Sequence, residues 1–344
     1  MTSFNAIVRD RILRQAILLD AVLRGYLVEN FALWEKARKD MKDALLRGEQ
    51  DLPEWTDAEM RARVLAMRKA FDAATIKVSG LVEKASAEAA TLSLDFWTNL
   101  FADGLPGTFG AQLGLTPVPP SSILAISARP VLAVTPASWG GEARRRFARE
   151  ALLELQTAQG LGESVGSAVK RLLSLEQPFG VAERVGRFAA ESAVRNSFIG
   201  AAARVESLFE ERNRDLLTGA TFLATLDTTT CQVCASLDGR FFPAGTPRIA
   251  IPVHNRCRCV YVPQFKSWKD LGIDIEDTTP AFRASMDGQV LGSTTYDDWI
   301  RGLPPDEARS ILGPSRWDTW VSQGKPPLGE YVDGTRIKTL GEIA

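Results

Sequence analysis

The chain has 344 residues, of which 45% are hydrophobic, and its 41 basic and 42 acidic side chains leave a formal net charge of −1. This composition is typical of a globular protein with a sizeable core, and the balanced charge gives no electrostatic support for nucleic-acid binding. Because charged residues at Arg9, Asp10, Arg11 and Arg14 interrupt the N-terminus, we expect neither a secretory signal nor a membrane-spanning run of about 18 apolar residues. We therefore expect a protein made in the cytosol, where thiols stay reduced.

Helical periodicity predicts the first elements. Apolar residues recur at three-, four- and seven-residue steps over residues 5–47. Thr56 and Glu59 have the spacing of a capping box, which predicts the start of a second helix that extends to about Ala89. A third amphipathic stretch follows over residues 92–101. We expect these helices to pack as a bundle, and the alternative is that they offer a surface to partner helices.

A segment rich in proline and glycine separates these helices from the next ones. Its density of helix breakers over residues 103–141 excludes a long helix, while apolar residues such as Ile123, Leu124 and Ile126 predict burial. We therefore expect an ordered, extended connector that contains short strands. Further helices are expected over residues 142–159, 163–175 and 178–217.

The pattern changes after Gly219, where alternating apolar and polar residues predict a strand. Asp238-Gly239 predicts a two-residue hairpin turn, because glycine tolerates a positive φ. A return strand is expected over residues 240–242 and another short strand over 249–251. These elements form a small β module at residues 220–265.

The cysteines and the single histidine of the chain all lie in this module, in the order Cys231-x2-Cys234 and His254-x2-Cys257-x-Cys259. Two short knuckles with this spacing can place four donors around a tetrahedral zinc ion. Three thiolates and one imidazole leave no position open for water, as in structural zinc sites. We predict that Cys231, Cys234, His254 and Cys257 bind the ion, because the x2 spacing then recurs on both sides. Cys259 is the competing fourth ligand, and clustering for packing without a metal is the remaining alternative.

Enzymatic interpretations find less support in the sequence. The Cys231–Cys234 pair has the spacing of a redox dithiol, but no thioredoxin-like βαβ pattern surrounds it. A nuclease of the HNH type needs more than one histidine, and a deaminase needs H-x-E before P-C-x2-C, which is the reverse of the order here. Neither a phosphate-binding glycine loop nor a G-x-S-x-G elbow occurs. We therefore predict no catalytic residues.

Tryptophans are frequent in the C-terminal part of the chain. We expect them to anchor a small satellite core, and the alternative is a docking surface, because tryptophan is common at binding hot spots. The Pro304-Pro305 pair predicts a short helix that ends at about Leu312. The tryptophans in question are Trp268, Trp299, Trp317 and Trp320.

Together these patterns predict a mainly α protein of the α+β class. Its expected parts are long N-terminal helices, a β-hairpin of the zinc-knuckle or zinc-ribbon kind, and an irregular C-terminal extension. The segments are an N-terminal helical region at 1–102, a Pro/Gly-rich ordered connector at 103–141, a second helical region at 142–219, the zinc-binding β module at 220–265 and the C-terminal extension at 266–344.

The module and the C-terminal residues resemble a known family, the Mu F-like head morphogenesis proteins, which are minor head proteins of tailed bacteriophages. The specific resemblance covers about residues 150–344, and its strongest part is the cysteine-rich run. In that run the matching residues are Asp227-Thr-Thr-Thr-Cys231-x2-Cys234-x2-Leu237-Asp238-Gly239 and Pro252-x-His254-x2-Cys257-Arg258-Cys259. In the C-terminal extension they are Tyr296-Asp-Asp-Trp299, Ile311-Leu-Gly-Pro314-Ser-Arg316, Leu328-Gly-Glu-Tyr-Val-Asp333 and Thr339-Leu340.

The chain departs from the family pattern in two places. The family often has Arg-Thr-Glu on the helix before the motif, where this chain has Ala189-Ala190-Glu191. Only Glu191 can be carried over, with an expected role in orienting the surroundings of the site or in a helix contact. Val253 stands where a second proline is common in the family.

The resemblance implies a structural role. Proteins similar to this one lie inside the capsid at low copy number, associate with the portal protein and are needed to make functional heads. It therefore implies a portal partner, with scaffolding or major capsid protein as further candidate partners, a location in the capsid interior of the virion, and no membrane partner. Contact with packaged DNA stays open, since some members are thought to contact it. The alternative function is a zinc-dependent nucleic-acid-binding or processing enzyme.

Overall fold

The computed structural model describes residues 4–47, 51–100, 114–132, 135, 138–267, 269–271 and 282–343. Helices dominate this part of the chain and small antiparallel sheets accompany them, which confirms the mainly helical fold with a minor β component. Among the described residues, no helix combines the length and the apolar character that crossing a membrane requires.

The helices differ widely in length. The long ones are α1 (Phe4–Leu45), α2 (Asp57–Asn99), α4 (Trp139–Gly160) and α6 (Phe188–Arg212). The short ones are α3 (Ser122–Ser127), α5 (Val165–Leu173), α7 (Gln232–Leu237), α8 (Tyr296–Gly302), α9 (Pro305–Leu312), α10 (Pro314–Ser322) and α11 (Leu340–Ile343). The strands are β1 (Leu217–Leu223), β2 (Phe241–Pro243), β3 (Val260–Phe265), β4 (Phe282–Ser285), β5 (Gly288–Leu291), β6 (Val332–Asp333) and β7 (Arg336–Ile337).

Helix α2 begins at the predicted capping box. The Thr56 N–H donates to Glu59 Oε2 at 2.7 Å, and the Glu59 N–H donates to Thr56 Oγ1 at 3.2 Å, so two orphan donors of the first turn are satisfied. The predicted end near Ala89 is wrong, because the helix continues without a break to Asn99. Ala89 and Ala90 are fully buried, and alanine is the best helix former, so nothing in this stretch interrupts the backbone hydrogen bonds.

The connector is helical where strands were expected. Residues 101–113, 133–134 and 136–137 lie outside the described residues, so the prediction for them has no counterpart here. In the described part, the apolar run at 122–127 forms helix α3, whose Ile126 is buried while Leu124 is exposed.

The expected helix over residues 178–217 is shorter at both ends. A π-helical turn at Ala182–Arg187 precedes α6, and α6 ends at Arg212. The buried Asn213 accounts for this end: its side chain donates to the Thr116 carbonyl at 3.0 Å and accepts the Thr116 N–H at 2.7 Å. Because an asparagine that pairs with backbone groups competes with the helix, the chain turns here and enters β1 at Leu217.

The described residues form two compact units. One, the sheet unit, takes its residues from 1–19, 91–122 and 202–344, and the other, the helical unit, from 20–90 and 123–201. Packing therefore groups the chain differently from local composition, and α1, α2 and α6 each contribute residues to both units.

The helical unit has an aromatic core. The Phe71 ring stacks on Phe147 with a centroid distance of 4.2 Å and meets Trp34 edge-on at 5.0 Å. Gly186, in the π-helical turn, packs so closely that a Cβ there would lie 2.6 Å from the Trp34 ring. Full burial of each aromatic side chain stabilises the fold by about 1.5–3 kcal/mol, and only glycine fits at this contact.

The sheet unit contains a three-stranded antiparallel sheet in the order β2-β1-β3. Ala220 of β1 faces Phe242 of β2 and Pro263 of β3, and the register shifts between Leu217 and Gly219. A Cβ at Gly219 would lie 2.2 Å from the Phe242 carbonyl oxygen, so a larger residue cannot occupy this position.

The C-terminal segment is more regular than expected. Residues 282–343 form two hairpins and a series of short helices, including the predicted helix at Pro305–Leu312. Trp299 and Trp320 are buried in one apolar cluster and Trp317 packs against it, which confirms the satellite core. Their burial contradicts a docking surface made of these side chains, and Trp268 lies outside the described residues.

Candidate metal centre

The first pair of predicted ligands flanks the start of helix α7. Cys231 is the N-cap residue, and its Sγ accepts the Cys234 N–H at 3.4 Å, so both sulfurs lie at the same helical turn. The hairpin predicted at Asp238-Gly239 is wrong, because these residues follow a helix and not a strand. Gly239 has a φ of +78° and donates its N–H to the Phe222 carbonyl at 2.9 Å, which returns the chain to the sheet.

The second group of predicted ligands lies on the loop between β2 and β3. The Cys257 N–H donates to the His254 carbonyl at 3.2 Å, which closes a tight turn around Arg256 with its φ of +65°. Cys259 comes directly before the first residue of β3, in agreement with its expected place at the next strand. Residues 249–251, expected as a strand, form no strand in this described loop.

The fold brings all five candidate donors together. The His254 Nε2 atom lies 3.0 Å from Cys231 Sγ and 3.1 Å from Cys234 Sγ, and Cys234 Sγ lies 3.9 Å from Cys257 Sγ. Two sulfurs bound tetrahedrally at about 2.3 Å from one ion are about 3.8 Å apart, which matches the Cys234–Cys257 distance. The cluster can therefore hold a metal ion.

The donors form two overlapping groups in which the ligand atoms lie within 4.8 Å of one another. One group is Cys231, Cys234 and His254, and the other is Cys234, Cys257 and Cys259. Cys234 belongs to both groups and is therefore the central donor. Cys257 and Cys259 are both buried and both next to Cys234, so the choice of fourth ligand stays a prediction that favours Cys257.

The orientation of the His254 ring suits metal binding. The Nδ1 atom lies 2.7 Å from the Asn255 carbonyl oxygen and can donate its proton there. This contact fixes the tautomer in which Nε2, the atom facing the sulfurs, carries the lone pair, an arrangement common among metal-binding histidines. Without an ion, the hydrogen bond to Cys231 raises the pKa of His254 to about 9, against the opposing effect of burial.

The thiols share their protons unevenly. The single thiol proton of Cys234, which either neighbour can accept, contributes most to lowering the pKa of Cys231 to about 4 and that of Cys257 to about 2. The same contact with Cys231 raises the pKa of Cys234, which keeps its proton. Since metal ligation requires thiolates and a neutral imidazole, a bound cation would displace the proton of Cys234 and the one on His254 Nε2.

An ion pair links the two loops that carry the candidate ligands. Arg258, which lies between two candidate ligands, donates to both carboxylate oxygens of Asp227 at 2.6 and 2.9 Å. Asp227 Oδ1 also accepts the Thr229 N–H at 3.0 Å and so shapes the turn before Cys231. Burial raises the pKa of Asp227, but the hydrogen bonds from Arg258 and Thr229 outweigh it and lower the pKa below its ordinary value.

Asp238 is the buried centre of a second polar network. Its carboxylate accepts the Ala224 N–H and the Tyr296 N–H, both at 2.7 Å. Arg283 donates to the same carboxylate at 2.9 and 3.1 Å, and it also donates to the Ala224 and Thr294 carbonyls. Side-chain exposure is 4% for Arg283 and 0% for Asp238, so this ion pair is fully removed from water.

The C-terminal segment, residues 282–343, packs against the loops that carry the candidate ligands. The Tyr296 hydroxyl donates to the Asp227 carbonyl at 2.8 Å, and the Met286 N–H donates to the Leu226 carbonyl at 3.0 Å. Leu226 and Ala235 are buried in the same apolar cluster as the C-terminal tryptophans. The 220–265 module therefore shares its core with residues 282–343.

Glu191, the residue carried over from the family pattern, lies on α6 in the helical unit. Its carboxylate accepts from Arg195 Nε at 3.0 Å, one helical turn further on. A role of Glu191 in orienting the metal site stays a prediction.

Comparisons with known proteins give no relative for this chain. A scan against protein-family models, a search of curated proteins and a search of solved structures each found no significant match.

Sequence reasoning missed the buried ion pair, Asp238 and Arg283, that helps to join the module to the C-terminal segment. Asp238 was interpreted as a turn residue, and Arg283 carried no motif at all. One signal was available, because Asp238 directly follows the apolar residue Leu237, and an acidic side chain beside buried residues requires a buried partner. The identity of that partner, 45 residues along the chain, had no signal in the sequence.

Proposed function

We propose that this chain is a minor head protein of a tailed bacteriophage, acting in head morphogenesis, and that its Cys/His cluster holds a structural zinc ion. One observation carries the proposal: most residues of the cysteine-rich run that resembles that family, and Tyr296 of the C-terminal segment, build this one site. They are the five candidate donors together with Asp227, Asp238, Arg258 and Tyr296.

The donor chemistry supports zinc. Thiolates and imidazole are the ligands of structural zinc sites, and the set here offers four positions without an open one for water or substrate. Cys234, Cys257 and Cys259 are each at most 3% exposed, whereas Cys231 and His254 are partly exposed. An ion with four protein ligands supports the fold of its surroundings and does not activate a water molecule.

The location of the cluster supports an architectural role for the ion. It lies where two loops and a six-residue helix meet, so little regular secondary structure holds the candidate donors in place. Metal binding would link these loops to each other. The hydrogen-bond networks of Asp227 and Asp238 would link them to the C-terminal segment.

The proposed setting follows from the family resemblance. We place the protein in the capsid interior of the virion, associated with the portal protein, with scaffolding or major capsid protein as further partners and with DNA contact open. Neither a catalytic role nor a membrane partner belongs to this proposal.

Metal content tests the zinc part of the proposal. We expect one zinc per chain in protein purified without added metal, measured by native mass spectrometry and elemental analysis. Cys257→Ser and Cys259→Ser form a matched pair, because both sulfurs are buried beside Cys234. The true fourth ligand is the one whose substitution releases zinc to a chelator. Full retention of zinc in Cys234→Ser would contradict the site.

Quantitative peptide mass spectrometry on purified capsids and virions that contain this chain tests the head-protein part. We expect a few copies per particle, in constant ratio to portal protein. Absence from particles, with the protein free in the lysate, would overturn the proposal and favour the zinc-dependent nucleic-acid enzyme.

A further inference from the structure

Helix α6 carries a pair of buried carboxyl groups away from the metal centre. Glu206 and Glu210 lie one turn apart, and Glu206 is 8% exposed while the Glu210 side chain is 14% exposed. Buried glutamates need a partner for each charge, since an unpaired carboxylate in a low-dielectric environment is strongly unfavourable.

One guanidinium contacts Glu210 and acts on Glu206 electrostatically. Arg248, on the loop between β2 and β3, contacts Glu210 Oε2 at 2.6 Å, and its second terminal nitrogen lies 3.5 Å from Ser207 Oγ. The guanidinium also lies 3.9 Å above the centre of the Tyr261 ring of β3. Tyr261 supplies no charge, because burial raises its pKa to about 12 and its hydroxyl donates to the Ile249 carbonyl.

The other charged groups near this cluster are more distant or solvent-facing. Arg240, next to β2, acts on Tyr261 electrostatically, and Glu211 and Arg214 line the adjoining cleft with exposed side chains. If Glu206 and Glu210 were both ionised, Arg248 would leave a buried net charge of −1. A single retained proton makes the three groups neutral.

Hydrogen bonding leads to the same conclusion. Glu206 Oε1 and Glu210 Oε1 are buried, and neither receives a donor from the described residues. Two carboxylates are acceptors only, whereas a protonated carboxyl is also a donor and can bond to the neighbouring carboxylate. Burial, followed by the nearby Glu210 charge, raises the pKa of Glu206 well above its ordinary value.

We propose that Glu206 and Glu210 share one proton at neutral pH, and that rising pH progressively weakens the attachment of the Arg248 loop to helix α6 until this proton is lost. The loop concerned, residues 244–256, continues into the ligand-bearing turn. The cluster borders an open cleft of about 350 Å³ that Glu210 and Arg248 help to line, so the proton can exchange with solvent.

The sign of the pH effect follows from the raised pKa. The folded state holds a proton that the unfolded chain releases at the ordinary glutamate pKa of 4.5. The cluster therefore costs no stability below that pH, and its cost grows as pH rises until the shared proton is lost from the folded state as well.

Infrared spectroscopy of the native protein tests the proposal directly. We expect the C=O stretch of a protonated carboxyl at about neutral pH, abolished in Glu206→Gln and retained in Glu211→Gln, the exposed neighbour on the same helix. Absence of this band in the unmodified protein would overturn the proposal, and so would its full retention in Glu206→Gln.

Thermal unfolding across the neutral-to-alkaline range gives a second readout. The unmodified protein and Glu211→Gln should lose melting temperature in parallel as pH rises. Glu206→Gln should lose less, because its amide can donate to Glu210 without holding a titratable proton. Equal losses in all three proteins would overturn the pH-sensitive attachment. The infrared band does not depend on zinc or on particle location, and the melting temperatures are compared at equal zinc content, so this proposal can fail separately from the proposed function.

Discussion

The two units of this protein are stabilised by different physical means. The helical unit has long helices around an aromatic core at Trp34, Phe71 and Phe147, where stability comes from buried apolar surface. The part of the sheet unit around the cysteine cluster has short elements, and named polar contacts hold it together: a sulfur-rich cluster and the buried Asp238–Arg283 pair. Apolar packing spreads stability over many contacts, whereas a cluster of ligands and charges concentrates it in a few side chains.

The largest effect is expected on removal of the proposed zinc ion or of its central donor. Cys234→Ser, which breaks both donor groups, should forfeit metal stabilisation on the order of 10 kcal/mol and unfold the 220–265 module. Hydrogen exchange measured by mass spectrometry should show loss of protection in 220–265 and 282–343. Peptides from residues 57–90 of the helical unit serve as the internal control, and unchanged protection of 220–265 would refute the expectation.

Breaking the buried ion pair should have the next largest effect. Arg283→Met leaves Asp238 charged and buried, which should cost about 3–5 kcal/mol in the free energy of unfolding. Arg258→Met is the matched control, because its partner Asp227 is partly exposed and such pairs contribute about 0–1 kcal/mol. Urea denaturation measures both. A cost for Arg283→Met no larger than for Arg258→Met would show that the buried network does not hold the module.

A smaller effect is expected from overfilling the helical core. Gly186→Ala adds a methyl group 2.6 Å from the Trp34 ring, and the resulting strain should cost about 1–3 kcal/mol. Zinc content should stay the same, which separates this change from those in the module. Gly160→Ala is the control, since a Cβ there meets nothing within 4 Å. Equal melting temperatures for the two variants would argue against the close contact at Gly186.

The smallest effect should come from the capping box of α2. Thr56→Ala removes the acceptor of the Glu59 N–H, and the expected cost is about 1 kcal/mol. Thermal unfolding detects this shift, and Thr56→Ser should restore most of it because serine caps equally well. A serine variant as unstable as the alanine variant would mean that the cap does not contribute through its hydroxyl.

Local patterns predicted a large part of the fold. Helix periodicity gave the long helices, and the capping box gave the start of α2 to the residue. The ends of helices and strands were less predictable where a contact with a distant part of the chain sets them. Helix α6 ends at Arg212 because Asn213 pairs with the backbone of Thr116, about a hundred residues earlier. The hairpin at Asp238-Gly239 was predicted from turn preference, but the carboxylate of Asp238 is used in tertiary contacts.

The sequence by itself determined which five side chains are the candidate donors, because cysteines and a histidine at these spacings are typical of metal sites. Tertiary structure decided how the set is built: Cys231 caps a helix, Cys234 is shared by both donor groups, and Asp238 finds Arg283. The physical reason is the distance along the chain over which each kind of interaction acts. Periodicity, capping and ligand spacing act within a few residues, whereas a buried charge is satisfied by whichever partner the folded chain brings to it.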